Sequence, residues 1–261
     1  MSDNDVFDNE MALALTIGLD GYDGSLLASH GWLVLTLSHT YESIVSEWPT
    51  GPIAQNAGYG DQQWAKNLSA RVDDMMYMLD RLPELPYGIG AAADVSRIGL
   101  VGHSYGGTTS AQCAYAVGDR VKAVVLLDGP IGYPGSSNTA QDNGLEQPVL
   151  LLSGTIDLDD GIITGAETVG FKRFSEVTRG PLLGYQVAGA RHYAFTDIGM
   201  LTSRGPELNG TIDPARGVHI HITWTRAFLN TYVRGLTAPL VFPPWLTWPE
   251  VSSIPQHAYP N

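Results

Sequence analysis

A chain of 261 residues with 44% hydrophobic composition, 30 Gly and 16 Pro has the length and turn content of one α/β domain, and no shift in composition marks a second. Its formal net charge of −13, with 14 Lys and Arg scattered singly, leaves no basic stripe to neutralise a phosphate backbone and excludes nucleic acid as the natural partner. Cys113 is the only cysteine, which rules out an intrachain disulfide, a cysteine zinc cluster and a CxxC redox pair.

The start, MSDNDVFDNE, is acidic and polar, unlike the basic and then apolar order of a secretory leader. No apolar run approaches the roughly 20 residues that cross a bilayer. From Trp32 onward strands and helices alternate. WLVLTL (32–37), bounded by Gly31 and the polar SHTYES, reads as a strand buried on both faces. Residues 61–82 place Trp64, Leu68, Val72, Met75, Met76, Leu79 and Leu82 at helical spacing, the methionines as core filler. RIGLVG (97–102) is the next strand and TTSAQCAYAV (108–117) the next helix, stopping at Gly118, with Cys113 as a buried structural thiol. VKAVVLL (121–127), PVLLLS (148–153) and LLGYQV (182–187) are further strands. His219 to Arg234 has helical spacing, with Ile222, Ala227, Phe228 and Tyr232 on one face, and the Pro- and Trp-rich tail from Thr237 is expected to pack as an extended strap without regular structure. The pattern predicts one open, mostly parallel sheet covered by helices on both faces, with ligands beyond the carboxyl ends of the strands.

Gly102-His103-Ser104-Tyr105-Gly106 has the GxSxG form at the point where an apolar strand runs into a small-residue helix. In that turn the serine takes a strained backbone conformation, and the flanking glycines avoid a collision inside the turn. The geometry exposes the Ser104 hydroxyl and aims the backbone N–H of Tyr105 at an acyl oxygen. No Lys follows to bind phosphate, so the turn is not a P-loop.

A serine hydroxyl needs a base within hydrogen-bond reach and an acid to orient that base. His192, in the polar loop AGARHYAFTD after the strand 182–187, emerges at the same edge as Ser104 and is the expected base. His103 is expected to be hydrogen-bonded and structural, and His39, after the first strand, a capped loop histidine rather than a site residue. His219 and His221 fall on different faces of the last helix and make no metal pair, while His257 lies in the tail. Two positions compete for the acid: Asp128 in LLDGP, and Asp157 or Asp159 in SGTIDLDD, one strand later. Either loop reaches His192. Asn67-Leu68-Ser69 and Asn209-Gly210-Thr211 are sequons that identify nothing alone.

The segments LASHGWLVLTLSHTYES, DVSRIGLVGHSYGG, VKAVVLLDG and GARHYAFTD, in that order between residues 27 and 200, together resemble the platelet-activating-factor acetylhydrolase family and related microbial lipases of the α/β-hydrolase superfamily. The resemblance implies a calcium-independent carboxylic ester hydrolase that works through an acyl-enzyme on a small-molecule or lipid ester, with no cofactor. Carried over, the nucleophile falls on Ser104, the histidine on His192 and the acid on Asp128. Cutinases and polyester hydrolases, more distant relatives, place the acid at the position of Asp157 or Asp159. Family members carry several strands before the LASHG-like segment, one of them ending in a turn that donates a second N–H to the oxyanion. Here residues 1–26 show no such turn, so either those strands are missing or a segment such as Ile17-Gly18-Leu19 substitutes. That departure motivates the alternative of a non-catalytic binding protein on a hydrolase scaffold. The family's many exported members and the scarcity of Lys favour an exported, trimmed chain over an intracellular one.

Overall fold

The computed structural model describes residues 11–17, 21–43, 45–56, 61–132, 139–156, 169–238 and 248–254. The chain enters through strand β1 (Met11–Ile17), helix α1 (Gly21–Ser29) and strand β2 (Trp32–Leu37). A short hairpin, β3 (Val45–Ser46) and β4 (Ile53–Ala54), precedes the long helix α2 (Asp61–Arg81) and the single turn α3 (Ile89–Ala92). Strand β5 (Ala93–His103) then leads into α4 (Tyr105–Val117), followed by β6 (Val121–Leu127), α5 (Thr139–Asn143) and β7 (Val149–Gly154). The remainder is α6 (Phe171–Val177), β8 (Leu182–Val187), α7 (Ile198–Leu201), α8 (Gly205–Asn209), α9 (Pro214–Tyr232) and β9 (Val251–Ser253).

Seven strands form one sheet in the order β2-β1-β5-β6-β7-β8-β9, and every pairing is parallel except β8 with β9. The strand order reverses between β1 and β5, because the chain steps outward from β1 to β2 and then crosses back to β5. Such a reversal leaves a crevice at the carboxyl edge. Ile17, the last residue of β1, is in register with Gly102, two residues before Ser104.

Alternation along each strand feeds two cores. On β6, Val124 and Leu126 face the layer of α2, α4 and α6, where Leu68, Met75, Leu79, Cys113 and Phe174 are buried. Ala123, Val125 and Leu127 face the layer of α1 and α9, packed by Leu27, Ile220, Trp224 and Phe228. Gly99 lets α9 lie close to the sheet, since a Cβ there would stand 2.7 Å from Leu229 Cδ2. Met75 is core filler, as expected, and Cys113 is buried with its thiol pushed up to about 12 by desolvation. Asn67 and Asn209, the two sequon asparagines, are both largely buried.

Three expectations need correction. Met11–Ile17 forms a strand and Gly21–Ser29 a helix, so a strand does precede the LASHG-like segment, with β1 lying inside the sheet between the edge strand β2 and β5. The last helix begins at Pro214, not near His219, because Asp213 caps it by accepting the Arg216 N–H at 3.0 Å and Pro214 suits the first turn. The tail is not wholly an unpaired strap: Val251–Ser253 adds an antiparallel edge strand to β8. Among the described residues no helix is long and apolar enough to cross a membrane.

Candidate active site

Ser104 joins β5 to α4 with φ 55° and ψ −125°, a conformation that L-residues adopt only under constraint. The constraint is built from both sides. Its N–H donates to the Leu127 carbonyl on β6 at 2.9 Å, and its own carbonyl accepts the Gly107 N–H at 2.9 Å. A Cβ at Gly102 would run into the Gly106 carbonyl, and one at Gly107 would stand 3.1 Å from the Gly102 carbonyl oxygen. Gly129, which the sequence reading did not single out, closes the turn from the neighbouring strand: its Cβ would fall 2.6 Å from the Ser104 carbonyl oxygen. The signal available in the sequence was the glycine following the strand-end acid in LLDGP.

Tyr105 opens α4, and the N–H groups of a helix's first turn have no acceptor within the helix. Its side chain anchors that end. The hydroxyl donates to the Trp64 carbonyl at 2.5 Å, the ring meets the Trp64 ring edge-on at 4.9 Å between centroids, and the Arg71 guanidinium lies over it at 4.6 Å. Arg71 is in turn ion-paired with Glu42 in a largely buried position.

Asp128 follows β6 with φ 47°. One carboxylate oxygen, Oδ1, accepts the Gly154 N–H at 2.8 Å; the other, Oδ2, lies 2.7 Å from His192 Nδ1. Burial opposes ionisation of this carboxyl. The hydrogen bond and charge of His192 and the Gly154 N–H outweigh it, and the group is held below the usual carboxylate range. An ionised Asp128 requires the proton to sit on His192 Nδ1, which leaves Nε2 as the basic atom. His192 opens the 3-10 turn His192–Phe195 after β8. The loop that leads into that turn is tied to the residues just after β7 through the Ala190 carbonyl, which accepts the N–H of Thr155 at 3.0 Å and of Ile156 at 3.2 Å.

His103 stands on the other side of Ser104 from Tyr105, as a structural hydrogen-bonded group. Its Nε2–H donates to the His192 carbonyl at 2.9 Å, and the two rings are 4.4 Å apart between centroids. Desolvation, then the nearby His192, push its pKa down to about 3, so His103 is neutral at ordinary pH. Strand ends from β5, β6 and β8 thus bring Ser104, Tyr105, Asp128 and His192 to one edge of the sheet.

A family model described as the alpha/beta hydrolase fold matches residues 56–173, which include Ser104 and Asp128. The structure is similar to a ferulic acid esterase from Streptomyces cinnamoneus, with a TM-score of 0.77 and 25% identity over 94% of this chain and 74% of that one. This chain has the α/β-hydrolase fold. No curated protein matches it.

Within the α/β-hydrolase frame the remaining candidates sort themselves. His39 is buried and bonded to Asp74 of α2 at 2.8 Å, as a capped loop histidine. His219 stacks on Trp248, whereas His221 is buried near Phe195, and among the described residues no cluster of His, Cys, Asp and Glu could hold a metal. Asp157, Asp159, Gly18, Leu19 and His257 lie outside the described residues.

Proposed function

We propose that this α/β-hydrolase is a serine carboxylic ester hydrolase, with Ser104 as nucleophile, His192 as general base, Asp128 as the acid that orients it and the Tyr105 N–H as an oxyanion donor. The observation that carries the reading is the 2.7 Å hydrogen bond between His192 and Asp128 at the edge where the strained Ser104 follows β5. The esterase named among similar structures, and the four segments that resemble the acetylhydrolase and lipase branch, support the same chemistry.

In this reading His192 Nε2 takes the Ser104 proton and the alkoxide attacks the acyl carbon. Charge then develops on the carbonyl oxygen, where the Tyr105 N–H and the positive end of α4 stabilise it. His192 returns the proton to the leaving alcohol, and an acyl-enzyme remains. A water, deprotonated by the same imidazole, releases the acid and restores Ser104. Asp128 stays ionised throughout and holds the imidazole in the productive tautomer.

The test is hydrolysis of p-nitrophenyl butyrate by wild type and Ser104→Ala. The reading expects turnover to fall by at least about a thousandfold with the urea midpoint retained. Turnover that survives the substitution removes Ser104 from the mechanism.

A further inference from the structure

His103 and Leu127 are level across the pairing of β5 with β6, so the residues that follow them, Ser104 and Asp128, leave two neighbouring strands side by side. Sheet register thus fixes the nucleophile and the acid relative to each other. His192 is different. It stands beyond the end of β8, two strands past β6, on a loop whose backbone bonds run to the residues after β7 and, from the Arg191 N–H at 2.9 Å, to the Asn209 carbonyl of α8. Those bonds hold the loop without relating it to β5.

The bond that does so comes from His103. Its Nε2–H donates to the His192 carbonyl at 2.9 Å, and its ring lies 4.4 Å from the His192 ring between centroids. The donor belongs to the residue directly before Ser104 and the acceptor to the base itself, so one hydrogen bond spans the two. Asp128 turns the imidazole through Nδ1; His103 holds the backbone that carries it. The far end of the same turn is already anchored, with Phe195 buried and its ring 6.2 Å from that of the buried His221 of α9. Movement left to the turn is therefore movement at His192.

The chemistry of the side chain suits this task. His103 is buried, so water competes poorly for the His192 carbonyl. It is also neutral at ordinary pH, and donates without opposing the positive charge that His192 gains when it takes the serine proton. A lysine or arginine there would oppose it.

We infer that His103 is a positioning residue for the reaction: by bonding the His192 carbonyl it sets the separation of the general base from Ser104. The inference rests on the ester-hydrolase reading above.

The experiment compares His103→Gln, His103→Asn and His103→Leu in steady state on p-nitrophenyl butyrate, with fluorophosphonate labelling of Ser104 and urea unfolding in parallel. Glutamine carries its amide nitrogen as many bonds from Cα as histidine carries Nε2, whereas asparagine falls a bond short and leucine has no donor. Asn and Leu are expected to lose at least about thirtyfold in kcat with KM within about twofold, because a small misplacement of a reacting group is costly, and labelling is expected to slow by a like factor. Gln is expected to stay within about threefold of wild type in both. Added to His192→Ala, His103→Leu is expected to leave the residual turnover within about twofold, since no imidazole remains to be placed. A loss of packing alone would lower it further. Folded Asn or Leu protein within about threefold of wild type in kcat, Gln protein as slow as Leu, or losses that multiply in the His192→Ala background would each overturn the inference and leave ester hydrolysis standing. Where His103→Leu does not fold, the comparison of Asn with Gln decides. Wild-type protein that neither labels nor turns over the ester removes the hydrolase reading, and this inference with it.

Discussion

His192 Nδ1 and Asp128 Oδ2 lie 2.7 Å apart, although 64 positions separate them in the chain, while the second Asp128 oxygen is held at 2.8 Å by the Gly154 N–H. With both oxygens committed, the carboxylate cannot rotate away, and the imidazole it holds presents one face and one nitrogen.

Asp128→Asn therefore keeps the shape but loses the acceptor that fixes the Nδ1–H tautomer. The expected loss is about 10³- to 10⁴-fold in kcat with KM little changed, measured in steady state on p-nitrophenyl butyrate. Asp157→Asn, measured beside it, is expected to stay within about a factor of three of wild type. A larger fall for Asp157→Asn would move the acid one strand along.

Two buried histidines set an acid dependence of stability. His103 and His221 are both pushed down to about 3, chiefly by desolvation. The unfolded chain, with ordinary histidines near 6.5, binds more protons between those values. Stability must then fall as pH drops from about 6.5 towards 3, by up to about 1.4 kcal/mol per pH unit for each histidine. Asp128 acts lower: its folded carboxyl lies below the unfolded value of about 3.9, so its contribution is present above that value and lost as pH falls through the folded one. Urea unfolding of wild type and His221→Gln at pH 6 and pH 4.5 reads the slope, which is expected to be shallower in the variant by about 1.4 kcal/mol per pH unit.

Gly129→Ala places a methyl group 2.6 Å from the Ser104 carbonyl oxygen and 3.3 Å from Gly107 Cα, both backbone atoms of the turn between β5 and α4. The turn has to shift. A loss of about 1–3 kcal/mol in urea unfolding is expected, with a fall in kcat larger than the change in KM.

Cys113 is fully buried and its thiol is pushed up to about 12. Iodoacetamide at neutral pH is expected to leave the native protein unmodified and to alkylate it in urea, as mass spectrometry would read. Alkylation under native conditions would contradict the packing of α4 against the sheet.

Much of this arrangement was legible in the residues. The GxSxG turn between an apolar strand and a small-residue helix, the runs that became β6, β7 and β8, and the long helix α2 all announce themselves through local periodicity. What local pattern could not supply was partnership at a distance. MALALTI alternates alanine with larger residues, a pattern equally open to a helix, and becomes β1 because β2 and β5 pair with it on either side. The need for Gly129 arises from the Ser104 carbonyl, which folding brings against it. The Pro-dense tail still finds an edge at β8, where an outer strand can leave one side unpaired. Asp128 and the pair Asp157 and Asp159 follow strands alike, so residue spacing leaves both open; folding hands the His192 ring to Asp128. The cap at Asp213, by contrast, was readable: Asp followed by Pro marks a helix start.

The most direct test of the account is peptide mapping by mass spectrometry after treatment with a fluorophosphonate, which modifies only an activated serine. The account predicts a single adduct, on the peptide that contains Ser104, and its disappearance in His192→Ala. No adduct in the folded wild-type protein, or an adduct on another serine with Ser104 untouched, would contradict it.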